Sequence, residues 1–127
     1  MKCRLDLQES VIPLKVRIEG EREVKKIDMA LDTGATYIML PWDIAEILGY
    51  EPELSKERIN LITASGVEKA PLITLKAVDV LGKRAENIKA TVHDLPQESY
   101  VDGLLGLSFL KNFRVCLDFR EGVLEIE

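Results

Sequence analysis

Apolar residues in this chain recur at every second position. Ile12, Leu14, Val16 and Ile18 fall on one side of an extended segment, and Pro13, Lys15, Arg17 and Glu19 fall on the other. A period of two marks a half-buried β-strand; helical faces repeat every 3.6 residues. A charged turn from Gly20 to Glu23 then leads into Val24–Leu31, so the first two strands form a hairpin. The pattern continues along the chain. Thr36 to Leu40 reads as a short apolar strand, and Ile59, Leu61 and Thr63 alternate up to a hairpin tip at Ala64-Ser65-Gly66. Val67 to Val80 returns as a long extended stretch, Gly82-Lys83-Arg84 turns, Ile88 to His93 is a further strand, and Pro96 to Ser99 is a polar loop. Val101 to Leu107 is nearly continuously apolar, which predicts a strand buried on both faces. Phe113, Val115, Leu117 and Phe119 alternate again, and after Arg120-Glu121-Gly122 the chain ends on Val123 to Ile126. Helical spacing is brief: Pro41 opens a segment in which Ile44, Ile47 and Leu48 share a face before Gly49 stops it. The fold class is all-β.

With 127 residues, 46% of them hydrophobic, the chain reads as one domain over 1–127 whose core needs no disulfide or structural metal. Seventeen basic against twenty-two acidic residues leave a formal charge of -5. That balance argues against a nucleic-acid phosphate backbone or an anionic membrane as partner. Residues 1–9 mix charges with apolar residues and hold no secretion signal, and no segment approaches the ~20 apolar residues of a membrane span. Cys3 and Cys116 lack metal-ligand spacing and fit free thiols in a reducing compartment. The expected location is the cytoplasm.

Most catalytic schemes fail by counting. The one histidine, His93, would need a distant serine to build a triad, and it reads as a surface strand residue. No His and Cys cluster suits zinc, no loop has calcium-site spacing, and Gly103 and Gly106 lack the rest of a nucleotide fingerprint. No metal or cofactor is expected. What remains is Asp32-Thr33-Gly34-Ala35-Thr36, set between two hydrophobic strands. A carboxylate ending a buried strand is costly without partners. Taken alone, the segment reads as an ordinary turn in which Asp32 bonds the backbone and Gly34 supplies a positive φ.

The segment resembles the active-site loop of the retropepsin-like (retroviral-type) aspartic proteases. About seventy positions on, Gly103-Leu104-Leu105-Gly106-Leu107-Ser108-Phe109-Leu110 is similar to the second mark of that family, two hydrophobic residues and a glycine leading into a short helix. Between the two lies the hairpin tipped by Ala64-Ser65-Gly66, where the family carries a flap over its substrate. The resemblance implies a closed acid-protease-type β-barrel with a hairpin flap and one or two short helices. It implies a homodimer cleaving a peptide or protein substrate with Asp32 as the catalytic residue. Thr33, Gly34, Ala35 and Thr36 would support the loop, Thr33 offering its hydroxyl across the dimer axis, and Leu104, Leu105 and Gly106 would wall the site. Thr36 and Tyr37 stand where retroviral members carry an acidic pair, and Leu107 stands where they carry an arginine, so the chain is more similar to the cellular and bacterial branch. Tyr37 and Trp42 are candidates for lining subsites, although a tryptophan at a helix start more commonly covers core.

Peptide hydrolysis without metal or covalent nucleophile needs one carboxylate to take a proton from water and one carboxylic acid to polarise the carbonyl. One Asp32 cannot do both. Asp102, ahead of Leu104-Leu105, lacks the Thr and Gly that present Asp32, whereas a twofold homodimer brings Asp32 against its own copy. Two other readings stay open: a dimeric peptide-binding or regulatory module that cleaves nothing, and a β-barrel with an accidental Asp-Thr-Gly.

Overall fold

Alternating segments become strands where one face finds something to bury it. The computed structural model describes residues 2–6 and 8–127. In chain order its elements are β1 (Lys2–Arg4), β2 (Pro13–Glu19), β3 (Val24–Leu31), β4 (Ile38–Leu40), α1 (Trp42–Ile47), a 3-10 turn (Pro52–Leu54), β5 (Arg58–Thr63), β6 (Gly66–Val80), β7 (Lys83–Val92), β8 (Gly103–Leu105), α2 (Leu107–Leu110), β9 (Val115–Asp118) and β10 (Val123–Ile126).

Six strands run in the order β2-β3-β8-β4-β7-β6 and close into a barrel, because β6 pairs back to β2 through Arg17↔Asp79, Ile18↔Val78 and Glu19↔Ala77. Closure leaves these strands no open edge. The inward residues are those the alternation selects: Val16, Ile18, Met29, Ile38, Leu40, Leu75, Val78 and Leu105 are fully buried. Each such side chain contributes about 1.5–3 kcal/mol relative to exposure. Phe109 of α2 is also fully buried, 4.9 Å from the Phe113 ring. A separate antiparallel sheet, β1-β10-β9, lays Leu124 and Ile126 into the same core. In it Cys3 pairs with Leu124 and Cys116 with Glu125, neighbours of opposite facing, so the two free thiols point to opposite faces.

The first half of β6 pairs with β5, from Thr63↔Gly66 to Arg58↔Pro71, and the second half pairs with β7, from Leu72↔Thr91 to Val80↔Lys83. One long strand therefore pairs with β5 along its first half and with β7 and β2 along its second. The β5–β6 hairpin stands off the barrel on a base at Pro71.

Three local expectations are corrected. Val101–Leu107 is not one strand: β8 is three residues long and Leu107 already begins α2, because its amide turns away to the Ala35 carbonyl at 2.8 Å. The turn ahead of β7 is Leu81-Gly82 and not Gly82-Lys83-Arg84. Both turn residues carry positive φ, 48° and 78°, as the tight turn that suits strand twist requires, and that frees Lys83 and Arg84 to pair in β7. His93 lies one residue beyond β7, with its amide bonded to the Leu40 carbonyl.

Candidate active site

Strand β8 threads between β3 and β4. It runs parallel to β3, with Met29↔Gly103, Ala30↔Leu104 and Leu31↔Leu105 in register, and antiparallel to β4 at Met39↔Leu104. Parallel strands end at the same edge of a sheet. The loop after Leu31 and the turn after Leu105 therefore emerge side by side, and Asp32 and Gly106 are the first residues of each.

Glycine is required here by space. A Cβ on Gly103 would strike the Met39 carbonyl, and one on Gly106 would strike the Tyr37 and Ala35 carbonyls. Side-chain-free residues let β8 nest against the loop that carries Asp32. Backbone bonds join the two segments: Asp32 N–H to the Leu105 carbonyl (3.0 Å), Leu107 N–H to Ala35 (2.8 Å) and Ser108 N–H to Thr36 (2.9 Å). The Ser108 hydroxyl adds a bridge, accepting from the Ile38 amide at 3.0 Å and donating to the Lys89 carbonyl at 2.8 Å. One side chain thus ties β4 to β7 behind the loop. It was not singled out from the sequence, although a lone hydroxyl in the apolar run Leu104–Leu110 was a usable signal.

Within the loop, Asp32 Oδ1 accepts from the Gly34 amide at 2.9 Å, and the Asp32 carbonyl accepts from Ala35 at 3.2 Å. The carboxylate is thereby aimed by its own turn. Its Oδ2 has no hydrogen bond among the described residues. Gly34 does not supply a positive φ; the glycines that do are Gly49, Gly66, Gly82 and Gly122. Its smallness serves the carboxylate instead, since a Cβ there would sit 3.2 Å from Oδ1.

Asp32 opens into a groove of about 600 Å³ lined by Gly34, Ala35, Thr36, Tyr37, Met39 and Leu104 on the barrel side and by β5 residues 59–62 on the hairpin side. Asp32 is the sole carboxylate among the lining residues. Leu104 faces this groove, whereas Leu105 is fully buried in the barrel and meets the loop through its backbone. Thr33 is exposed beside the groove. A second space of about 490 Å³ shares Met39, Leu61, Ile62 and Leu104 with the first and runs between the hairpin tip, Ala64 and Ser65 included, and residues 93–96. Tyr37 lines the groove, while Trp42 packs on the core away from it. Met39, Ile59, Asn60, Leu61, Ile62 and Thr91 complete the lining. Sequence reading missed them because alternation does not say which face of a strand meets a cleft.

Asp102 is excluded as a partner for Asp32 within one chain. It precedes β8 and lies beside Asp28, bonded through Asp102 N–H to the Asp28 carbonyl (2.8 Å) and Asp28 N–H to Asp102 Oδ2 (3.3 Å). Four residue steps at ~3.3 Å each separate Asp28 from Asp32. Among the described residues no group of three or more His, Cys, Asp or Glu is arranged to hold a metal ion.

The sequence profile of the gag-polyprotein putative aspartyl protease family matches residues 14–112, from β2 through α2. The chain belongs to this family. The fold agrees: a retropepsin-like aspartic protease from Rickettsia conorii superposes with a TM-score of 0.71 at 26% identity, over 99% of this chain and 88% of that one. An uncharacterized protein in the cobV 5′ region of Sinorhizobium sp is 32% identical over 91 residues, 72% of this chain and 38% of that protein. An uncharacterized protein of Rickettsia prowazekii is 36% identical over 89 residues, 70% of this chain and 37% of that protein. The chain spans well under half the length of these two relatives. The family match covers both the Asp32 loop and the β8–α2 segment, and so joins on one family the two segments that the parallel β3–β8 register brings together.

Proposed function

We propose that this chain is an aspartic endopeptidase that works as a homodimer, with Asp32 of each subunit flanking one water molecule. The observation that carries the reading is the lone, aimed carboxylate: Asp32 has one oxygen held by Gly34 and the other unbonded, in a groove that holds no second acid. Two-carboxyl chemistry then needs a second copy, and a residue near a twofold axis meets itself. One Asp32 carboxylate takes a proton from the water as that water attacks the peptide carbonyl. The other, protonated, donates to the carbonyl oxygen as it gains charge. The tetrahedral intermediate then collapses as one of its hydroxyls returns a proton to the carboxylate that donated it, and the leaving amine takes its proton from the carboxyl that received one from water. Like charges held close cannot both ionise, so the pair shares one proton and the activity falls away on both sides of an acid-to-neutral optimum.

In this reading the peptide lies extended between the Asp32 loops and the β5–β6 hairpins, whose tips at Ala64, Ser65 and Gly66 close over it. The tip is a two-residue connection with the positive φ of 122° placed on Gly66. Cys3 and Cys116, free and on opposite faces, support a place in a reducing compartment such as the cytoplasm. No helix among the described residues is long and apolar enough to cross a membrane.

Digestion of a mixed peptide library, with and without a statine-type transition-state mimic, tests the proposal. Cleavage that the mimic suppresses and chelators leave unchanged supports it. Peptide retention without cleavage would replace it by a binding module on the same fold.

A further inference from the structure

The β5–β6 hairpin is fastened to the barrel at two levels. At its base, the Ser55 hydroxyl donates to the Leu72 carbonyl at 2.5 Å, the Leu72 amide donates to Glu57 at 3.0 Å, and the Thr91 hydroxyl donates to the Pro71 carbonyl at 3.2 Å. Farther out, His93 Nε2 lies 2.7 Å from Glu68 Oε2. Glu68 is opposite Leu61 in the hairpin ladder, so only Ile62↔Val67 and Thr63↔Gly66 lie between this contact and the tip. His93 is itself anchored. Its amide bonds Leu40 of β4 at 2.9 Å, and Nδ1 is 2.9 Å from the Asp94 carbonyl, so both ring nitrogens face acceptors and the imidazole plane is set.

His93 also walls the second space between the hairpin and residues 93–96. We propose that His93 and Glu68 form a lateral latch that sets where the hairpin pivots. While the pair is made, the moving part is the tip, 62–67. When it is broken, the pivot drops to the base at Glu57 and Pro71, and the side of the groove opens. The proposal rests on the reading that the hairpin closes over a peptide. Neither His93 nor Glu68 reaches Asp32, so both are positioning residues.

Hydrogen exchange read by mass spectrometry tests the latch on the whole protein, whether or not it cleaves anything. The pair is partly exposed, with side chains 30% and 48% accessible, and such pairs are weak. In His93→Ala and in Glu68→Ala, peptides covering 58–71 exchange about two- to fivefold faster, while β2, β3 and β8 are unchanged. The double variant exchanges no faster than the single variants, because each single change already breaks the same contact. His93→Gln, which keeps a donor, restores part of the protection. In a cleavage assay the two alanine variants raise KM by the same factor and leave kcat within about twofold. Unchanged exchange over 58–71, additive effects in the double variant, or faster exchange across the whole barrel would overturn the latch. Absence of hydrolysis in the wild type would overturn the protease reading alone, with exchange still deciding the latch.

Discussion

The amide of Asp32 donates to the carbonyl of Leu105 at 3.0 Å, one residue beyond the register pair Leu31↔Leu105. That bond joins two segments more than seventy residues apart in sequence and makes the position of Asp32 a property of the β8–α2 segment as much as of its own loop. The two motifs are halves of one object.

If so, substitutions at the glycines separate by role. Gly106→Ala forces the Tyr37 and Ala35 carbonyls apart and costs about 3 kcal/mol, roughly 10 °C in Tm for a domain of this size. Gly34→Ala presses on Asp32 Oδ1 from 3.2 Å and lowers kcat far more than Tm. Thermal melts and initial rates on both variants check the separation; equal effects at both sites would contradict it.

Ser108→Ala leaves the Ile38 amide and the Lys89 carbonyl without their shared hydroxyl. The expected loss is about 1–3 kcal/mol by chemical denaturation, with faster hydrogen exchange at Ile38. A neutral change would mean that water replaces the hydroxyl at no cost.

Gly66→Val tests the hairpin tip. Nothing stands within 4 Å of a Cβ at this position, so the substitution creates no clash, but it forces a β-branched residue to a φ of 122°. Turnover falls several-fold more than stability, as closure of a lid would require. Parallel losses in a melt and a rate assay would make the hairpin a structural element only.

Much of this was legible in the chain. Strands β2, β5 and β9 follow from alternation, β3, β6 and β10 from the turns that bound them, and α1 follows from Pro41 and Gly49. Leu107 reads as strand from sequence because Leu104–Leu110 is apolar under either assignment, and only the Ala35 carbonyl waiting for its amide decides for α2. Asp32 stood out as a carboxylate ending a buried strand. Its aim did not, because the reason for Gly34 is the distance to Oδ1, a contact that no residue pattern encodes. The His93–Glu68 contact spans 25 positions and lies just beyond Leu72↔Thr91, the last register pair of β6 and β7, a register that no residue pattern encodes, so His93 reads as a bare surface residue from sequence.

The central claim, that one active site is shared by two chains, is tested most directly by mixing wild type with Asp32→Asn. Asn retains an oxygen to accept from the Gly34 amide, so the loop and the fold are kept, and removing two crowded carboxyls that cannot both ionise leaves stability equal or higher. The variant alone has lost both base and acid and is inactive. Equal amounts allowed to exchange subunits, with exchange proven by a mass tag, give about one quarter wild-type and about one half mixed dimers. Mixed dimers hold one carboxylate, so the account predicts total activity of about a quarter of an all-wild-type sample. Activity of about a half after proven exchange would mean that each chain works alone, and about three quarters would mean that one carboxylate suffices; either result would contradict the shared site.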